Sequence, residues 1–314
     1  MTEQHPSITA TLPAILPSTN TRKTATIEWL TAPDGAKIGC RIWQGSENAP
    51  IVIYLHGIEG HSQWFENTAL ALNEQGITVY APDRRGSGMN GGLRGHLENY
   101  NILFSDLESQ LRYIKRQHKG QRLVMIANCW SAKLATIVAQ SNYESTDHTL
   151  VSPLAGLVLS APAIYTRVDF SLLTKLEIAM EYILGGNSRL KYWPVPLTTS
   201  MLTRNTDFLD FLDNDPLRLT KATTSFFAQT FFLAKKAKQA AKFIKIPVLI
   251  LQGEDDLIVD TNKLENWYQQ IASKDKSIHA FPGAAHSLDF DADWFKEYTY
   301  VLANWILTRG QLGV

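Results

Sequence analysis

The chain predicts an α/β fold: a mostly parallel central sheet with helices packed on both faces and a helical cap inserted at one end. Three observations carry this prediction. Short apolar runs that suit buried strands alternate with longer amphipathic stretches that suit helices, the rhythm of parallel strands joined by helical crossovers. One connection, residues 161–246, is far longer than the dozen or so residues a crossover needs, so it must hold an insertion. A chain of 314 residues that is 45% apolar can also bury one large core.

Residues 1–22 are rich in Thr, Ser and Pro without apolar periodicity and predict a loose leader. Two β-rich runs, 24–30 and 37–43, flank the turn Pro33-Asp34-Gly35 and predict an antiparallel hairpin. The buried strands follow at 51–55, 77–80, 123–126, 157–159, 248–251 and 277–281. Between them the helical patterns fall at 64–75, 100–119, 130–140, 262–271 and 291–308. The insertion carries two more, 172–184 and 223–244, the second loaded with phenylalanine. The organisation is therefore a leader (1–22), a first core segment (23–160), a helical cap (161–244) and a second core segment (245–314).

Several function classes fall away. Thirty basic residues against thirty acidic ones leave no global field for a phosphate backbone, so nucleic acid is not expected as a partner. No apolar run approaches the roughly 20 residues of a membrane-spanning helix, and the start of the chain lacks a basic region ahead of an apolar stretch, which points to the cytoplasm. Two cysteines as distant as Cys40 and Cys129 suggest neither a disulfide scaffold nor a metal site. The run Gly86-Ser-Gly88-Met-Asn-Gly91 matches a dinucleotide fingerprint, but Asp83-Arg84-Arg85 separates it from its strand and no helix opens behind it, so no cofactor is expected.

The chemistry concentrates in three segments. Leu123 to Ala127 is an apolar strand that runs through Asn128-Cys129-Trp130-Ser131 into a helical pattern, with small residues two positions either side of Cys129, the outline of a nucleophile turn. The strand at 248–251 delivers Glu254, Asp255 and Asp256 into a loop. His286 follows the last strand in a Gly-Ala-Ala loop that packing does not explain. Nucleophile, acid and histidine come in the chain order of α/β-hydrolases.

From residue 36 to 307 the chain resembles the monoacylglycerol lipase, lysophospholipase and "serine aminopeptidase" group of that fold. The matching pieces are His56-Gly57-Ile58-Glu59-Gly60-His61-Ser62, Asp83-Arg-Arg-Gly86-Ser-Gly88, Thr203-Arg204-Asn205 with Asn214-Asp215-Pro216-Leu217 in the cap, and the loops of Asp256 and His286. The departure is the nucleophile, because the group has Gly-His-Ser-Met-Gly where this chain has Ala-Asn-Cys-Trp-Ser. The resemblance implies a Cys129–His286–Asp256 triad, Asp256 being preferred to Asp255 by its register after Gly253. It also implies an oxyanion hole from the N–H groups of Ile58 and Trp130. A thiol beside a histidine at a helix start is expected to ionise readily. The expected activity is acyl hydrolysis of an ester, lactone or thioester through a covalent acyl-enzyme. The alternatives are an acyltransferase or condensing enzyme, with coenzyme A or a carrier protein as thioester partner, and a non-catalytic ligand-binding scaffold. Phe226, Phe227 and Phe231 are candidates for a greasy wall around the substrate, with ordinary packing as their other reading. Lys133, one turn past Cys129 on a central helix, is expected to pair with Asp83 or Asp106 or to extend its ammonium outward, with direct binding of a carboxylate substrate as a third reading.

Overall fold

A computed structural model describes residues 12–15, 24–141, 143 and 154–309. The strands β1 (Thr26–Thr31) and β2 (Lys37–Trp43) form the antiparallel hairpin, Thr26 opposite Ile42. The chain then runs through β3 (Ile51–Leu55), a 3-10 turn into α1 (Glu66–Glu74), β4 (Thr78–Pro82) and α2 (Asn101–Gln117). There follow β5 (Leu123–Asn128), α3 (Ala132–Val138) and β6 (Gly156–Ser160). Long insertions aside, this is the predicted alternation, and the eight-stranded sheet has the order β1-β2-β4-β3-β5-β6 and then two later strands, β9 (Val248–Gly253) and β10 (Lys276–Phe281). Beyond the antiparallel β1–β2 and β2–β4 pairs, every pair in that sheet is parallel. The helices α8 (Thr261–Gln269) and α9 (Phe295–Arg309) complete the core.

Strand alternation decides the layers. In β5, Leu123, Met125 and Ala127 face a cluster shared with α2, α3 and α8, while Val124 and Ile126 face one built with α1 and α9. Both faces are covered, so β3, β4, β5, β6 and β9 are buried throughout and read as continuous apolar runs. The strand order reverses between β3 and β5, and ligands on open α/β sheets gather beyond the carboxyl ends of strands at such a switch point. His56-Gly57-Ile58 and Cys129 leave the sheet there.

The segment between β6 and β9 holds α4 (Leu172–Leu184), β7 (Tyr192–Pro194), α5 (Thr199–Leu202), α6 (Thr206–Asn214), β8 (Lys221–Thr223) and α7 (Thr224–Ala240). The two expected helices are present, the second ending in a separate 3-10 turn at Ala241–Phe243. The helix α6 is not among those predicted; its signals are Asn205 capping the Asp207 N–H and an apolar face of Phe208, Phe211 and Leu212. Nor is the β7–β8 pair, whose three-residue strands are too short for alternation to mark. Most of residues 1–22 lie outside the described residues; of those described, Leu12 is buried in a cluster that also holds Trp64 and Phe208, and the Pro13 carbonyl accepts from Asn67. No described helix is long and apolar enough to cross a membrane.

Candidate active site

β5 ends in a sharp corner. Cys129 adopts φ +50°, a left-handed conformation that costs a non-glycine residue energy and aims its side chain off the end of the sheet. The corner is tied from both sides: the Cys129 carbonyl accepts from Ala163 N–H at 3.0 Å, and the Ser131 hydroxyl donates to the His56 carbonyl. Ser131, read in the sequence as a small residue only, thus joins the corner to the loop after β3.

The structure brings Asp256 and His286 to the same place. Gly253 lets their loops meet, since a Cβ there would lie 2.2 Å from the Ala285 carbonyl oxygen. Asp256 Oδ2 accepts from His286 Nδ1 at 2.8 Å and from Gln252 Nε2 at 2.8 Å, while Oδ1 accepts from the N–H groups of Ile258 (2.7 Å) and Val259 (3.0 Å). Burial disfavours the carboxylate, but His286 and these donors outweigh it and hold its pKa below the ordinary value. Asp255 is elsewhere, in an exposed ion pair with Arg204 at 3.0 Å.

The Nε2 atom of His286 is shut off from solvent without a conventional hydrogen bond among the described residues, and Cys129 is an electrostatic partner of the ring. Burial opposes a charged ring, yet Asp256 and then Cys129 outweigh it and raise the pKa of His286 well above that of an ordinary histidine. Burial likewise opposes a thiolate at Cys129. His286 and then Lys133 overcome it, and the thiol falls below its ordinary pKa. Cys40 is the contrast, fully buried and pushed well up by desolvation.

Cys129 and His286 line a cleft open to solvent together with Gly57, Ile58 and Asn128. Its apolar wall is Trp64, Leu197, Leu202 and Phe290, while Phe226, Phe227 and Phe231 do not line it. Phe226 is buried and stacks on the Trp130 ring at 5.4 Å, Phe227 sits edge-on to Phe170 and Phe226, and Phe231 is exposed on α7. The helical phase of α7 turns these rings inward to the core or out to solvent. Trp130 also turns its ring away from the cleft, donating from Nε1 to Thr230. Asn128, Trp64 and the buried Asp289, which lines the floor, were not singled out in the sequence. For Asn128 the signal was present: it stands where the resembling group has histidine.

The motifs of the insertion explain themselves as anchors. Asp215 Oδ2 accepts from His61 Nε2 (2.8 Å) and Trp64 Nε1 (2.7 Å). Arg218 forms a buried ion pair with Glu59 at 2.7 Å, and Leu219 N–H donates to the Glu59 carbonyl at 2.9 Å. The insertion therefore grips the loop that carries Ile58. In the glycine loop, Asp83 accepts from the N–H groups of Ser62 and Met89, and Gly88, at φ +57°, has no room for a Cβ beside that carboxylate. The glycines serve a turn around Asp83.

Lys133 departs from expectation. Asp106 is taken by Arg85 and Asp83 by backbone N–H groups, so Lys133 is buried with its Nζ donating to the Ala163 carbonyl, and burial lowers its pKa to about 8. Among the described residues no three His, Cys, Asp or Glu side chains converge as a metal site.

Comparison with known proteins agrees with this architecture. Residues 46–293 match the family described as serine aminopeptidase, S33. Human monoglyceride lipase is 24% identical over 263 residues, 82% of each chain. A soluble variant of monoglyceride lipase from Saccharomyces cerevisiae superposes with a TM-score of 0.79 at 20% identity, covering 95% of this chain and 99% of that one. The monoacylglycerol lipase of Paleococcus ferrophilus gives 0.74 at 23% identity over 87% and 99%. With the mostly parallel sheet, the switch-point site and a family match across most of its length, the chain belongs to the serine aminopeptidase S33 family and has the α/β-hydrolase fold.

Proposed function

We propose that the protein hydrolyses carboxylic esters through an acyl-cysteine intermediate, with residues 161–244 as a cap over the site. The observation that carries this reading is Cys129 itself: a cysteine in left-handed backbone at a strand-to-helix corner, with a lowered pKa, opposite a histidine held by a buried carboxylate. Cys129 attacks the acyl carbonyl as thiolate. The N–H groups of Ile58 and Trp130 donate to the developing oxyanion. His286, protonated and oriented by Asp256, gives its proton to the departing alkoxide, which leaves as alcohol, and the acyl group remains as a thioester. Water then adds to the thioester carbonyl as neutral His286 takes its proton, and the thiolate departs as the acid forms. The cleft wall of Trp64, Leu197, Leu202 and Phe290 suits an aliphatic acyl chain, and the monoacylglycerols for which several relatives are named are the first substrates to test.

The test supplies monoacylglycerols, p-nitrophenyl esters and acyl-coenzyme A thioesters and follows free carboxylic acid in water alone and with added thiol or alcohol. The reading expects acid in water alone, lost in Cys129→Ala. Acyl products that form only when an acceptor is added would overturn hydrolysis in favour of transfer.

A further inference from the structure

Among the described residues Arg84, at the edge of the site, forms no ion pair with a carboxylate, a costly arrangement unless other groups hold the charge. It follows Asp83 beyond β4. Its Nη1 donates to the Gly57 carbonyl at 3.0 Å, and its Nη2 donates to the Ile58 carbonyl at 2.7 Å and to Ser87 Oγ at 2.9 Å. Its Nε is shut off from solvent and has no hydrogen-bond partner among the described residues. The guanidinium carbon also lies 4.7 Å from the centre of the Trp130 ring and 5.6 Å from that of Phe226. His56 completes the group: its Nε2 accepts from the Arg84 N–H at 2.8 Å, and burial, reinforced by Arg84, holds its pKa down near about 3, so it stays neutral. The remaining proton therefore sits on Nδ1, which donates to the same Gly57 carbonyl at 2.9 Å.

This geometry has one consequence for the reaction. In a trans peptide the C=O and the following N–H point in opposite directions. With two donors drawing the Gly57 oxygen away, the Ile58 N–H is turned to the other side, and it has no backbone acceptor among the described residues. The peptide is beside the nucleophile, since a Cβ on Gly57 would come within 3.2 Å of Cys129 Cβ. Donation to the carbonyl also polarises the peptide and strengthens its N–H. On its other side the same guanidinium braces the ring of Trp130, whose backbone N–H adjoins Cys129.

We infer that Arg84 is the positioning residue of the oxyanion site, holding the Gly57–Ile58 peptide by its carbonyls and Trp130 by its ring so that both N–H groups converge on the acyl oxygen. This rests on the acyl-cysteine reading. Lysine cannot replace it, because one ammonium cannot span two carbonyls and also reach the Trp130 ring.

The experiment compares two reactions of Cys129 at pH 6–9. Acylation by p-nitrophenyl butyrate needs the oxyanion site; alkylation by iodoacetamide needs only the thiolate. Arg84→Lys keeps the positive charge, and is expected to slow acylation about 10- to 100-fold through kcat with little change in KM, while the alkylation rate and its pH profile stay as in wild type. Ser87→Ala loosens the guanidinium without removing it, and decides the matter alone if Arg84→Lys does not fold: the same split, in smaller measure, is expected. Acylation at the wild-type rate in the folded variants overturns the role of Arg84. A wild-type protein that is alkylated at Cys129 but never acylated overturns the acyl-cysteine reading instead, so the two failures are distinguishable.

Discussion

Replacing Arg218 with methionine strands Glu59 in the loop next to Ile58. Glu59 and Arg218 are only 3% and 8% exposed, and their charged atoms lie 2.7 Å apart, so removal of the cation leaves a buried carboxylate without compensation. Such a loss costs about 3–5 kcal/mol. Protonation caps it. Forcing a glutamate with an unfolded pKa of about 4.3 to bind a proton costs about 5 kcal/mol at pH 8 and about 1 kcal/mol at pH 5. The sign follows: burial already raises the Glu59 pKa with Arg218 present, and without it the folded value rises further. The native variant then binds a proton that the unfolded chain releases, so its stability falls as pH climbs above the unfolded value. Urea denaturation at pH 5 and pH 8 should show a deficit that widens with pH, with a melting temperature lower by about 5–8 °C at pH 8. Glu59→Gln combined with Arg218→Met should recover most of the loss. A deficit below about 1 kcal/mol at both pH values would refute the claim that this pair clamps the insertion to the loop.

Other predictions concern the interior. Iodoacetamide should modify Cys129 in the folded protein far faster than Cys40, and peptide mapping with equal modification of the two would contradict the lowered pKa of Cys129. Asp289 is buried with a pKa raised to about 6, so it erodes stability as pH rises from the unfolded carboxylate value through 6. Its Oδ1 takes both bonds, from Thr68 and Tyr298, which asparagine preserves. Asp289→Asn should match wild type near pH 4 and exceed it by about 1–3 kcal/mol at pH 7, and a gap of the same size at both would refute a buried charge. Lys133, with its pKa lowered to about 8, should favour the wild type increasingly as pH climbs from 8 toward the unfolded value. The stability difference from Lys133→Met should shift by about 2–3 kcal/mol toward wild type between pH 7 and 10; a constant difference would argue against a desolvated ammonium.

The core was legible because burial on both faces writes itself as apolar runs: β2 and β3 match their sequence reading residue for residue. The carboxylate beside His286 could be read too, since Asp256 sits at a fixed distance beyond its strand, while Asp255 pairs with Arg204. What escaped were relations between segments remote in sequence. Nothing in the phenylalanines of α7 announces which helical phase faces the cleft, and the wall was supplied by Leu197, Leu202 and Phe290 from elsewhere. Lys133 was assigned a carboxylate on the general rule for buried cations, and the carbonyl of Ala163 took that place because β6 ends beside it. Arg84 read as one letter of a loop motif, while its partners lie on a different strand's exit and on the turn of Cys129 and Trp130.

The central claim is that Cys129 carries the acyl group. Intact-mass measurement after brief exposure to p-nitrophenyl butyrate, followed by peptide mapping, tests it most directly. The account predicts one butyryl addition on Cys129, absent from Cys129→Ala and strongly slowed in His286→Ala. Ester hydrolysis that continues undiminished in Cys129→Ala, or a butyryl group mapped to another residue, would contradict it.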